Sequence, residues 1–116
     1  VNPMTGWDDP RNAELYDRFA RNHGLYRETG RDLVALARLE DSALVVDLAC
    51  GTGVTTEAIL ERVEESATVV ALDASEAMLA IARRTVTDQR VRWVRARPIT
   101  PGTRSGPSRD SAAYPP

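Results

Sequence analysis

At 116 residues, with 42% hydrophobic and 28% charged residues, the chain has ordinary globular composition and room for one domain at most. Fifteen basic residues, all arginine, against seventeen acidic ones leave a formal charge of −2, which gives no electrostatic case for nucleic acid or an anionic membrane surface as a partner. One cysteine excludes an internal disulfide framework and a multi-cysteine metal site, no metal is expected, and no apolar run reaches the roughly 18 residues of a membrane span, so a cytoplasmic protein is the default expectation.

Residues 1–9 are polar, carry Pro3 and Gly6, and read as a flexible arm. Asp9 followed by Pro10 has the form of a helix start, with Asp as N-cap and Pro in the first helical position. Leu15, Tyr16 and Phe19 give that helix an apolar stripe, and Gly24 marks its expected left-handed end. A second helix is expected from Tyr26 to Leu39, with Leu33, Leu36 and Ala37 at helical spacing and Gly30 as a weak point. A buried strand follows over Ala43–Leu48, then a helix from Val54 to Glu65 with Ala58, Ile59 and Val63 inside and its glutamates on a solvated face.

The second strand, Thr68–Leu72, ends in Asp73. Ser75 caps a further helix bearing Met78, Leu79, Ala82 and Val86 on one face, and Val91–Arg95 alternates as a third strand. The order β-α-β-α-β predicts parallel strands joined by right-handed crossovers, in one domain over 10–96. From residue 97 half of the last twenty residues are Pro, Gly or Ser, so 97–116 reads as a disordered tail.

The chemistry is concentrated where the first strand meets its helix. Gly51 and Gly53 permit a sharp turn and a close approach of backbone to a ligand. Asp73 stands twenty positions beyond Gly53, the distance from a phosphate-type turn to the end of the next parallel strand in a nucleotide-binding βαβ unit, where a carboxylate can accept from two ribose hydroxyls. The alternative is that Asp73 only ends the strand and helps start the next helix. A dinucleotide fingerprint would need a third glycine, which is absent after Gly51-Thr52-Gly53-Val54-Thr55-Thr56, and Asp47 would oppose a pyrophosphate. A ligand carrying an ammonium group would tolerate that acid.

Asp47-Leu48-Ala49-Cys50-Gly51-Thr52-Gly53 resembles motif I of the class I S-adenosylmethionine-dependent methyltransferases, acid-x-Gly/Ala-x-Gly-x-Gly, and Leu72-Asp73-Ala74-Ser75-Glu76-Ala77-Met78-Leu79 resembles their second motif. The likeness covers roughly Leu15 to Val94 and implies an α/β fold: a Rossmann-like parallel sheet with flanking helices, incomplete at about three strands, behind two N-terminal helices. It implies that Asp47, Ala49, Gly51 and Gly53 border the methionine part of S-adenosylmethionine, that Asp73 holds the ribose, and that Ala74 and Met78 lie near the adenine. Tyr16 and Tyr26 lie on helices that close over the pocket in similar proteins, yet neither sits in a motif sharp enough to align. No catalytic residue is assigned. His23 reads as a helix-end or surface residue and Cys50 as a small packing residue.

The chain departs from the family after the third strand, where an acid near the adenine is replaced by Arg95-Ala96-Arg97. In the family order 3-2-1-4-5-7-6 the first strand is central, so a sheet of three strands leaves Val45 and Val46 on an open edge, which invites self-association. The expectation is the N-terminal part of a methyltransferase, truncated or frameshifted, with an unidentified methyl acceptor, a small molecule being one candidate, and with catalysis by the isolated chain left open. Restoring the frame in the coding DNA should reveal an acid after the third strand and a hydrophobic fourth strand. The alternatives are a binding or assembly module completed by another chain and, disfavoured by the missing glycine, an NAD-binding oxidoreductase fragment.

Overall fold

The computed structural model describes residues 6–97; the first part of the expected arm and the tail from residue 98 lie outside the described residues. The elements are α1 (Pro10–Asn22), α2 (Gly24–Ala37), β1 (Leu44–Leu48), α3 (Val54–Leu60), β2 (Thr68–Asp73), α4 (Glu76–Thr85) and β3 (Val91–Arg95). Within the stretch read as a loose arm, Gly6–Asp8 form a 3-10 turn, and the Ser75 hydroxyl donates to the Trp7 carbonyl.

The three strands form one parallel sheet in the order β1-β2-β3. Val45, Val69 and Val91 stand in register, as do Asp47, Ala71 and Trp93, and these rows face the helices. Two crossovers of one hand that advance in one direction put α3 and α4 on a single face of the sheet. There Val34 of α2, Ala58 and Ile59 of α3, and Leu79 of α4 join Val45, Val69, Ala71 and Val91 in one apolar cluster. The opposite rows, Val46-Val70-Arg92 and Leu48-Leu72-Val94, have no helix over them among the described residues, and Leu48 is 74% exposed. β1 is an edge of this sheet, as expected, but only one of the two valines is open: Val46 is half exposed, whereas Val45 is buried under the helices.

Helix ends follow local chemistry. The Asp9 carboxylate accepts from the Arg11 N–H at 2.9 Å and caps α1, and the Ser75 hydroxyl accepts from the Met78 N–H at 3.1 Å and caps α4. Gly24 does not end α1 in a left-handed conformation. The break is the single extended residue His23, and Gly24 opens α2, whose left-handed C-cap is Arg38 at φ 53°. α3 stops at Leu60, five residues short of the expectation, and the Arg90 guanidinium donates to the carbonyls of Leu60 and Val63 at 3.1 and 3.0 Å. Asp88 aims that guanidinium, which in turn holds the Asp88 carboxyl down at about 2.

The apolar stripes of the first two helices are not their inner faces. Leu15, Phe19, Leu33 and Leu36 are exposed, Leu36 by 81%, while Ala13 and Ala20 of α1 and Gly30 and Val34 of α2 are buried. Small residues win because these helices pack closely: Ala13 meets Met78 and Ile81 of α4, and a Cβ on Gly30 would stand 3.4 Å from Thr55 Oγ1 and 3.7 Å from Thr55 Cα. Gly30 is therefore a contact point between α2 and α3 as well as a weak helix former. A methyl group fits at those distances, so Gly30→Ala should leave stability unchanged or raise it by up to about 1 kcal/mol through helix propensity. Gly30→Leu should lower it by about 1–3 kcal/mol through overpacking. Urea midpoints check both, and equal midpoints for the two variants would mean that the helices do not meet here.

Candidate functional site

The carboxyl ends of the strands open into a cleft of about 710 Å³, the size of a small-molecule site. Its floor is the β1–α3 turn with Leu48, Ala49 and Gly51, and one side is the β2–α4 turn with Leu72, Asp73, Ala74 and Met78. Trp7 and Tyr16 form the aromatic wall, and Ala96 and Arg97 close the end beyond β3. Five of the residues singled out in the sequence thus meet in one place: Ala49, Gly51, Asp73, Ala74 and Met78. Asp47 and Gly53 do not line the cleft and lie beneath it.

The turn needs left-handed backbone at three of its residues. Ala49, Gly51 and Gly53 have φ of 58°, 57° and 92°, and only the first carries a side chain, at a cost of roughly 1–2 kcal/mol. Gly51 lies under Tyr16, where a Cβ would stand at an ordinary contact distance of 3.8 Å from Tyr16 Cε1, so the positive φ and not space calls for glycine there. Gly53 caps α3 so near the core that a Cβ would lie 3.2 Å from Val86 and 3.4 Å from Trp93.

Asp73 bridges the two turns. One carboxylate oxygen accepts from the Gly51 N–H at 2.9 Å, and the other accepts from the Ser75 N–H at 2.8 Å. Each oxygen keeps a further lone pair for a donor in the cleft. Asp73 therefore starts the next helix and also points its carboxylate at the glycine turn.

Asp47 is buried under the turn and accepts from the Thr56 hydroxyl at 2.7 Å. Thr56 occupies the position where a dinucleotide fingerprint has its third glycine, so the two departures from that fingerprint are one interaction. Burial raises the Asp47 carboxyl above its ordinary value; the Thr56 hydrogen bond works against this, and Asp73 adds to it. Cys50, between them, is buried and its thiol is pushed up to about 12 by burial, with Asp47 and Asp73 adding to the effect. The thiol is a packing group.

Sequence reasoning did not assign Trp7, Leu48, Leu72, Ala96 or Arg97 to the site, because nothing in their local spacing marks them. Tyr16 stands in the sequence on a helix that closes over the pocket in similar proteins, without a motif that assigns it to the site. Burial is the first cause of its raised phenol pKa, and its ring stands edge-on to Trp7 at 5.3 Å and to Tyr26 at 6.2 Å. Tyr26 supports Tyr16 from behind without lining the cleft. His23 stacks edge-on against Phe19 at the α1–α2 break, away from the cleft.

Residues 45–101, which contain both turns, match the family model described as a methyltransferase domain. The chain is 38% identical over 93 residues to a trans-aconitate 2-methyltransferase from Azoarcus sp. strain BH72, covering 80% of this chain and 33% of that protein. The chain belongs to the class I S-adenosylmethionine-dependent methyltransferases. A demethylmenaquinone methyltransferase from Lactiplantibacillus plantarum is 33% identical over 93 residues, covering 70% of this chain and 39% of its own length. The crystal structure of Streptomyces venezuelae DesVI superposes with a TM-score of 0.59 at 26% identity, over 74% of this chain and 36% of that one. The chain thus spans about a third of the length of the curated relatives it matches.

Within this methyltransferase family the fold is the Rossmann-like α/β sheet, of which the described residues form three parallel strands and their helices. The family's cofactor is S-adenosylmethionine. No helix among the described residues is long and apolar enough to cross a membrane.

The raised Asp47 carboxyl has a defined pH signature. The native state holds the proton over a range above 3.8 where the unfolded chain has released it, so this group's contribution to stability falls as pH rises through that window and stays low above it. Asp47→Asn should therefore be more stable than wild type at pH 7, with the gain shrinking as pH falls toward 3.8. Denaturant midpoints across pH read this, and a gain independent of pH would contradict it. Cys50 should resist iodoacetamide at pH 7.5 in the native state and react on unfolding, as a thiol titrating at about 12 requires.

Proposed function

We propose that this chain binds S-adenosylmethionine in the cleft at the carboxyl end of its sheet and presents the methyl group to a small-molecule acceptor. The observation that carries this reading is the Asp73 carboxylate, fixed by the N–H groups of Gly51 and Ser75 with acceptor capacity left over, beside a glycine turn and an aromatic wall. The residues present suit the cofactor. A cleft of about 710 Å³ takes a nucleoside with an amino-acid arm, and Asp73 at its side suits two ribose hydroxyls. Ala74 and Met78 offer an apolar surface to the purine, and Ala49 and Gly51 offer backbone to the methionine part. Asp47 beneath the turn supplies negative potential for an ammonium group, and Gly53 holds the turn in shape rather than touching the ligand.

When bound, the sulfonium supplies an activated methyl and a neutral leaving group. What this chain contributes is placement: Tyr16 over Gly51 narrows the cleft, and the glycine turn takes the methionine part while the β2–α4 turn takes the nucleoside. Arg97 stands where the family has an acid near the adenine, so the purine amino group meets a donor there rather than an acceptor. The relatives named trans-aconitate 2-methyltransferase make a small polycarboxylate the first acceptor to assay.

Titration calorimetry with S-adenosylhomocysteine tests the reading, and the ribose assignment has its own readout. Wild type should bind 5′-methylthioadenosine about tenfold more tightly than its 2′-deoxy analogue, the value of one hydrogen bond to a charged group, and Asp73→Asn should lose much of that preference. Equal affinity of wild type for the two nucleosides would remove Asp73 from the ribose. No binding of S-adenosylhomocysteine by soluble protein would overturn the cofactor reading as a whole.

A second reading is favoured by one feature, the open edge and uncovered face of β1, where Leu44, Val46 and Leu48 are exposed. In this reading another chain supplies strands beside β1, and the domain is completed by assembly. Sedimentation should then show a species larger than 12.7 kDa that Val46→Lys breaks up; a wild-type monomer at every concentration would dismiss it.

A further inference from the structure

Arg21 sits in the last turn of α1 and touches three parts of the molecule at once. Its Nε–H donates to Asp17 Oδ1 at 2.8 Å, Nη1 donates to Glu57 Oε1 at 2.6 Å, and Nη2 donates to the backbone carbonyl of Thr52 at 3.1 Å. Asp17 is on its own helix, four residues back, and orients the guanidinium. Glu57 is in the first turn of α3, and Thr52 lies between the two glycines of the cofactor turn. The side chain is 20% exposed, so these bonds are partly shielded from water and screened less than those of a surface pair.

The glycine turn is thus held from two sides. On the sheet side the Asp73 carboxylate takes the Gly51 N–H, and on the helix side Arg21 takes the Thr52 carbonyl. The same helix carries Tyr16 five residues earlier, whose ring overlies Gly51 and walls the cleft. Arg21 itself does not line the cleft. Only a planar fork with several donors can serve a helix neighbour, a carboxylate on another helix and a carbonyl together.

We propose that Arg21 is a positioning residue of the cofactor site: it couples α1 to the glycine turn, so that the aromatic wall and the backbone floor keep a fixed separation. This inference rests on the cofactor reading above. It explains why Glu57, expected on a solvated face, is instead half-buried and ion-paired. It also predicts that the charge of Arg21 and its fork do different things. The charge pairs α1 with α3 and supports folding, whereas the fork's bond to Thr52 shapes the cleft.

The test is calorimetric titration of the full chain with S-adenosylhomocysteine, with thermal midpoints recorded for wild type, Arg21→Ala, Arg21→Lys, Arg90→Ala and Asp73→Ala. Arg21→Ala should weaken binding about tenfold. Arg21→Lys restores the ion pair with Glu57 but cannot also reach the carbonyl, so it should recover the wild-type midpoint while binding stays weak. Arg90→Ala removes carbonyl bonds at the far end of α3 and should lower the midpoint with affinity unchanged. If Arg21→Ala does not fold, Arg21→Lys alone decides. Wild-type affinity in Arg21→Lys overturns the inference, as does loss of affinity in Arg21→Ala no greater than in Arg90→Ala at a matched midpoint. Wild-type binding that Asp73→Ala abolishes keeps the cofactor reading standing in either case; absence of wild-type binding overturns that reading and this inference together.

Discussion

The Asp73 carboxylate spanning two backbone N–H groups is the constraint on which the site depends. It joins the turn after β1 to the turn after β2, which are otherwise separate loops at the ends of neighbouring strands. Parallel pairing brings the strand ends level, and the Cys50 N–H donating to the Leu72 carbonyl at 2.9 Å carries that pairing two residues beyond the end of β1. The carboxylate then finishes the ladder with a side chain in place of backbone. A ligand carboxylate or phosphate would compete with it, whereas hydroxyl groups can share it.

Beneath this tie the turn rests on polar groups withdrawn from water. The Asp47–Thr56 hydrogen bond links the end of β1 to the first turns of α3 in the space that the small residue of a dinucleotide fingerprint would leave open. Burying a carboxylate there is costly, and the Thr56 hydroxyl offsets part of that cost. Gly53 completes the support by letting Val86 and Trp93 pack directly against the backbone. Floor, side and wall of the cleft are each set by a different contact: Asp47–Thr56, Asp73–Gly51, and α1 through Tyr16.

The sheet is served unequally on its two faces. The helices cover the rows of Val45 and Asp47, while the rows of Val46 and Leu48 carry apolar side chains into the open. Contiguous apolar surface of this kind is uncommon on the outside of a monomer. The exposed leucines of α1 and α2 extend the same imbalance to the helical layer, since the close contacts there are made by alanine and glycine.

The order of strands and helices, the parallel sheet, the glycine turn and the acid after β2 were all legible in the sequence, because each rests on a local pattern: alternation, helical period, caps, and glycine before a helix. The resemblance to two family motifs implied Ala49, Gly51, Asp73, Ala74 and Met78 as neighbours, and the parallel sheet brings these five to one cleft. Which face of α1 and α2 turns inward was not legible. Hydrophobic period favours Leu15, Phe19, Leu33 and Leu36, but the distance between packed helices selects Ala13, Ala20, Gly30 and Val34, and only the tertiary fold sets that distance. The same holds for Tyr16 as the cleft wall, Arg21 on the Thr52 carbonyl, Thr56 on Asp47 and Arg90 on the end of α3. Apart from the nine-residue step between Asp47 and Thr56, each joins residues far apart in the chain through geometry that no local spacing encodes. The sequence by itself determined the elements and the chemistry of the two turns, and the tertiary structure decided which side chains reach across to hold them, because reach depends on where helices lie and not on what they contain.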